Sequence, residues 1–177
     1  MQSQTAADLG ELIARIDAAV ALGDAEAITQ RIKNDLAEII RERGLELPER
    51  FLEPHPERYA RRLLHRDPAT GWTAVVMVWG PSQRTALHDH AGIWCVEGVV
   101  LGELEVHRYE RLDLGCQDEG EPCRFRECEC LRTGIGSAGA LIPPHEYHIL
   151  GNPNAEGRAV TLHIYGSEMD HCSIFEA

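Results

Sequence analysis

The segment His88-Asp89-His90 sets two imidazoles two residues apart. On a strand, residues i and i+2 point to the same face. Both rings then project side by side, at a separation suited to one metal ion. A His-x-His pair also arises by chance on surfaces, so the reading needs a third ligand. Pro143-Pro144-His145-Glu146-Tyr147-His148, followed by Asn152, offers one. The prolines end one strand and fix the approach to the next, and His148 falls just inside it. His145 falls in the turn and reads as a solvated loop histidine. Three neutral imidazoles suit Fe(II) or another late divalent ion, zinc included. Thr161, His163 and Tyr165 share one strand face by the same period of two, and Val160, Leu162 and Ile164 take the other. That is the pattern of a polar row inside a barrel whose outer side packs on a core.

The elements that position these residues are readable along the chain. Leu9, Leu12, Ile13, Ile16 and Val20 recur at helical spacing, with Thr5 as a candidate cap and Gly23 as the stop. Asp24 caps a second helix carrying Ile28, Ile32, Leu36, Ile39 and Ile40, which Gly44 closes. From about Tyr59 the texture changes to short β-rich runs: Thr73 to Trp79, Trp94 to Leu101, Glu103 to Tyr109 and Ala159 to Tyr165. Arg124 to Arg132 alternates poorly and reads as an edge strand, and Asp113 to Glu121 as a solvated hairpin tip. Short strands at close intervals with Gly/Pro punctuation predict a mainly-β barrel or sandwich. The two helices cover one of its faces.

Composition excludes several functions. The 177 residues carry 17 Lys+Arg against 29 Asp+Glu, a formal net charge of -12. That charge argues against nucleic acid and against an anionic membrane surface. Lys33 is the only lysine, so Schiff-base chemistry has almost no candidate. Apolar residues make up 44%, a globular composition. No basic segment precedes the first apolar stripe, so the expected compartment is cytoplasmic. There the six Cys are expected as thiols. Cys123, Cys128 and Cys130 cluster near Cys116 but lack the C-x-x-C pair of most structural zinc sites. His65 and His107 read as surface residues.

The spacing of the site residues resembles the cupin superfamily. After His88 and His90 come Cys95 after four residues and Gly102 after six more. Pro143, His148 and Asn152 match the second cupin motif, with His145 in place of its glycine. Cys95 stands where most cupins have a glutamate ligand. That substitution resembles the thiol dioxygenase branch, specifically the cysteine dioxygenase type I family. Tyr59-Ala60-Arg61 is similar to the family's Tyr-x-Arg, and Thr161-Leu162-His163-Ile164-Tyr165 to its Ser-x-His-x-Tyr, with Thr for Ser. Cys172 lies seven residues past Tyr165, where the family can have a cysteine near the pocket mouth. The resemblance spans residues 59–175.

The resemblance implies a cupin (jelly-roll) β-barrel over 59–175 with an N-terminal helical segment over 1–45, one domain across 1–177. It implies mononuclear Fe(II) on His88, His90 and His148, with a small thiol and O2 as partners. Arg61 would hold the substrate carboxylate with its planar fork, and Tyr59 would add a hydroxyl. His163 would orient the Tyr165 hydroxyl, with Thr161 completing the row. In some members a cysteine matching Cys95 is joined by a thioether to the tyrosine matching Tyr165. The implied reaction converts L-cysteine and O2 to cysteine sulfinic acid. The alternative substrate is 3-mercaptopropionate, whose enzymes often carry Gln at the position of Arg61, and Trp94 is placed to reshape the pocket. A non-redox metal-binding cupin is the reading from another class, and a zinc or manganese isomerase a third. Arg61 and the Thr161/His163/Tyr165 row weigh against the first, and the missing glutamate ligand against the second.

Overall fold

A computed structural model describes residues 8–113, 123–144 and 147–176. Helix α1 (Leu9–Val20) is capped by Asp8, whose side chain accepts from Glu11 N at 2.9 Å. Thr5, the expected cap, lies outside the described residues. Helix α2 (Ala25–Glu38) starts on the Asp24 cap, as its sequence predicts. Its last turn widens to a π-helical turn over Ile39–Arg43, and Gly44 ends it at φ 74°.

Ten strands follow. They are β1 (Ala60–Arg66), β2 (Thr73–Trp79), β3 (Leu87–His88), β4 (Cys95–Leu101), β5 (Glu103–Arg111), β6 (Phe125–Gly134), β7 (Ala138–Leu141), β8 (His148–Gly151), β9 (Ala159–Tyr165) and β10 (Ile174–Phe175). They form two five-stranded antiparallel sheets, in the orders β1-β2-β9-β4-β7 and β10-β3-β8-β5-β6. The chain passes repeatedly between the sheets, which is jelly-roll connectivity. β6 is an edge strand, and most of its residues are exposed.

The first sheet has two buried faces, because its strands alternate. Ala74, Val76 and Val78 of β2, Val96 of β4, and Val160, Leu162 and Ile164 of β9 pack against Leu12, Ile16, Ile28, Ile32, Leu36 and Ile39 of the helical segment. Fully burying one such aliphatic side chain is worth about 1.5–3 kcal/mol. This contact removes the helices' apolar stripes from water. Gly98 lets α2 come close: a Cβ there would stand 2.6 Å from Leu36 Cδ2. The opposite face points into the barrel, where Val75, Met77, Trp79, Cys95, Val99 and Tyr165 form a second core with Leu104, Leu141 and Leu150. Asn152 locks the end of β2, its Nδ2 donating to Gly80 O and Gly157 O at 3.1 Å each.

Candidate metal centre

β3, β8 and β10 lie side by side in the second sheet, with His88 opposite both His148 and Ile174. His90 follows just beyond the two-residue β3. The ring centroids are 5.5 Å apart for His88 and His90, 4.6 Å for His88 and His148, and 4.9 Å for His90 and His148. One ring nitrogen from each lies within 4.8 Å of the other two. His90 and His148 are buried and His88 is half-buried.

All three rings are neutral. Burial, with His88 adding to it, pushes His90 down to about 3. Burial also holds His88 below the ordinary imidazole range and His148 well below it. The His88 tautomer follows from one contact. Its Nδ1 lies 3.1 Å from the Ala86 carbonyl, which only accepts, so Nδ1 carries the hydrogen. The lone pair on Nε2 then faces inward, 3.3 Å from His148 Nε2. Metal-ligating histidines are commonly held in this way by their outer nitrogen. The Nδ1 atoms of His90 and His148 are buried without a hydrogen-bond partner. Converging neutral imidazoles of this kind fit a late divalent ion.

A second cluster, Glu105, His107 and Cys130, lies on the outer face of β5 and β6. His107, read from the sequence as a surface residue, lies on that outer face, bonded to Glu105 at 2.7 Å and Glu127 at 3.0 Å. Arg84 Nη2 stands 3.2 Å from His107 Nε2, so a guanidinium already supplies the positive charge there.

A cavity of about 190 Å³ opens above His88 and His90. Tyr59, Arg61, His163, Tyr165 and Cys172 also line it. Arg61 sits at the mouth, exposed. Its Nη2 donates to Met169 O at 2.9 Å, and its Cζ lies 5.7 Å from the centroid of the Tyr165 ring. Arg62 turns away to Phe51 O. The Tyr59 ring rests on Trp79, centroids 4.9 Å apart. Trp94 does not reshape this cavity: it packs on the helix side of the sheet and over Gly166.

Behind the cavity, Trp79 Nε1 donates to Thr161 Oγ1 at 2.9 Å. Thr161 Oγ1 is 2.8 Å from His163 Nε2. An indole only donates, so the threonine oxygen accepts there. Among the described residues, His163 Nε2 is the one acceptor within reach of the buried Thr161 hydroxyl hydrogen, so that hydrogen goes to Nε2. His163 therefore carries its hydrogen on Nδ1. The partner of His163 is thus Thr161; the rings of His163 and Tyr165 lie nearly parallel, 17° apart in plane, with centroids 6.1 Å apart. The Tyr165 hydroxyl instead meets Cys95, its cross-strand neighbour. Burial pushes both the phenol and the thiol well up, so both are protonated.

Sequence reasoning missed Trp79 and Glu97. Glu97 is buried and lies beside His163, and burial raises its carboxyl to about 7. The signal for it was the period of two from Cys95 along β4.

The two-sheet jelly roll, with three histidines gathered inside it and two helices on one face, defines a cupin. Solved structures agree on the fold. A double-stranded β-helix protein from Klebsiella pneumoniae is 16% identical with a TM-score of 0.51, covering 73% of this chain and 94% of that one. An oxalate oxidase in complex with glycolate is 19% identical with a TM-score of 0.50, covering 68% of this chain and 56% of that one. The profile of the family described as cysteine dioxygenase type I matches residues 5–177, and the chain belongs to that family. It is 22% identical over 125 residues to a cysteine dioxygenase type 1 of Danio rerio, which covers 67% of this chain and 56% of the relative. The chain thus spans about half the length of that curated relative. Among the described residues, no helix is long and apolar enough to cross a membrane.

Proposed function

We propose that this protein is an Fe(II)-dependent thiol dioxygenase that converts L-cysteine and O2 to cysteine sulfinic acid in the cytoplasm. Residues 1–177 act as one cupin domain, with His88, His90 and His148 as metal ligands. The observation that carries this reading is the all-imidazole donor set of His88, His90 and His148, two of whose rings (His88 and His90) line one small cavity with Arg61 and Tyr59 in its wall. Three neutral ligands leave the ion its full charge, which favours an anionic sulfur. Iron held by these three histidines would supply the Lewis acidity that keeps that sulfur deprotonated and a redox-active centre through which the sulfur's electrons could reach dioxygen.

The protein's own residues do the rest. Arg61 exchanges the Met169 carbonyl for the substrate carboxylate, and Tyr59 donates its hydroxyl to the same group. Cys172 narrows the mouth. Tyr165, kept protonated by burial, presents a donor beside the reacting atoms. Cys95 holds that phenol in place from the neighbouring strand, and a thioether between them would fix it permanently at the loss of two hydrogens. Thr161 fixes the tautomer of His163. The overall change is RSH + O2 → RSO2⁻ + H⁺, with both oxygen atoms on sulfur.

The test is oxygen uptake by iron-loaded protein with L-cysteine and 3-mercaptopropionate side by side. Uptake with cysteine, at one O2 per sulfinate, is the expected result. Uptake with 3-mercaptopropionate alone would keep the metal site and discard the cysteine assignment. No uptake with either thiol, in protein that holds its iron, would overturn the dioxygenase reading.

A further inference from the structure

Glu97 has no part in the reaction as described, and its surroundings are unusual for a carboxyl group. It is 6% exposed. Across the sheet it faces His163 of β9 on one side and Gly139 of β7 on the other. Its Oε2 is buried without a hydrogen-bond partner and lies 3.6 Å from His163 Nδ1. That is just beyond a formed hydrogen bond. Buried carboxyl oxygens without partners are uncommon. The Trp79–Thr161–His163 chain puts the imidazole hydrogen on Nδ1, so it points toward this oxygen.

Behind Glu97 lies a second cavity of about 380 Å³, twice the volume of the first. It is bounded by β4 to β7, and Lys33 of α2 and Arg108 of β5 are its cations. A Cβ at Gly139 would stand 3.8 Å from Glu97 Oε1, so the bare glycine leaves the space beside that oxygen open. His163 is in the wall of the first cavity and Glu97 in the wall of the second. The two cavities therefore meet at one residue pair.

The thiol oxidation leaves one proton to remove at each turnover, from a cavity whose mouth the substrate fills. We propose that this proton leaves through Glu97: as a proton arrives at His163 Nε2, the Nδ1 hydrogen passes to Glu97 Oε2 and then to solvent in the second cavity. The proposal rests on the thiol dioxygenase reading. The transfer balances. The thiol S–H bond breaks and one N–H bond forms at Nε2. One N–H bond breaks at Nδ1 and one O–H bond forms at the Glu97 carboxylate Oε2, which breaks again on release to solvent. The imidazole is neutral before and after, with its hydrogen moved to Nε2. As Nε2 gains its hydrogen the Thr161 hydroxyl turns its own hydrogen out of that contact, and Oγ1 accepts the new Nε2–H on its second lone pair. His163 alone is a poor store, because burial, His90 and Arg61 hold it down at about 3. Glu97 suits proton transfer near neutral pH, because burial lifts it to about 7 against a small opposing effect of Arg108. The charged and titratable groups around it are His163, Arg108, Lys33 and, on its own strand, Cys95. Glu97 touches no substrate. It acts through His163, as a positioning and proton-carrying residue.

Two measurements test it. In metal-free protein, infrared difference spectra between about pH 5 and 9 should show a buried carboxylic acid that ionises near 7 and is missing in Glu97→Gln. A carboxylate across the whole range overturns the proposal. In iron-loaded protein, Glu97→Gln should lower kcat about 100-fold, the low end for a lost acid–base group. KM should stay within about twofold and the solvent deuterium isotope effect should grow. Glu97→Asp should recover part of the loss, and Gly139→Val, which fills the second cavity, should lower kcat at unchanged iron content. Wild-type kcat and isotope effect in Glu97→Gln, beside a wild type that oxidises thiol, would remove the relay and leave the dioxygenase standing. A wild type that oxidises no thiol removes the reaction and the relay together.

Discussion

Strand β9 faces two interiors. Val160, Leu162 and Ile164 press on the helices, while Thr161, His163 and Tyr165 look into the barrel. All seven residues of the strand are buried, so burial does not tell the two faces apart. Their partners do. The outer face packs within the apolar cluster shared with the helices and holds the fold by that packing. The inner face meets an indole N–H, an imidazole, a thiol and a cavity. Two residues one step apart, equally dry, are thus expected to fail in different ways: the outer by unfolding, the inner by losing chemistry.

The largest effect is expected on the inner side. His148→Ala removes a ring from the all-imidazole set and should abolish metal binding and thiol oxidation together, with the fold retained by circular dichroism. Iron content equal to wild type would strike His148 from the ligand set. On the outer side, Leu162→Ala leaves a cavity against the helices and should cost about 2–5 kcal/mol of unfolding free energy. Metal content and kcat of the folded fraction should not change. A change in metal affinity there would mean that the two faces are mechanically coupled through the strand.

Arg61→Ala acts at the mouth. A charge-assisted pair is worth about 1.5–3 kcal/mol, so KM for carboxylate-bearing thiols should rise about 10- to 100-fold. Cysteamine, which has no carboxylate, should be nearly indifferent. Equal losses for both would take Arg61 out of the substrate site.

Much of this division is readable from residues alone. The runs Thr73 to Trp79 and Ala159 to Tyr165 are β2 and β9 to the residue, because their ends carry Gly/Pro breaks, the first is a β-rich apolar run and the second alternates well. The helices are readable from their stripes and from the Asp24 cap. The prolines at 143 and 144 mark the end of β7 and the start of β8 at His148, but the extents of the short strands β3, β7, β8 and β10 are not legible. Two to four residues carry too little periodicity, and their pairing partners make them strands. Glu97 escapes notice for a different reason. A glutamate in a strand normally reads as solvent-facing, which outweighs the period of two from Cys95, and closure of the barrel, with Gly139 and His163 beside it, puts the group inside. The partner of His163 cannot be chosen from sequence either. Thr161 and Tyr165 are both two residues away on the same face, and the position of Trp79 decides between them.

The smallest effect is the sharpest test of the two-face comparison, because Thr161 carries both kinds of group on one side chain. Its hydroxyl links Trp79 to His163, and its methyl is packing of the kind found on the outer face. Thr161→Val keeps the shape and removes the hydroxyl, leaving a buried indole N–H without a partner at about 1–3 kcal/mol. It also frees the His163 tautomer, so kcat should fall several-fold while metal content holds. Thr161→Ser keeps the hydroxyl and removes the methyl. It should cost only about 0.8 kcal/mol of stability, with kcat unchanged and the His163 hydrogen still on Nδ1 by nitrogen NMR. If Val and Ser variants lost activity equally, the inner face of β9 would be acting through its packing, and the distinction between the two faces would collapse.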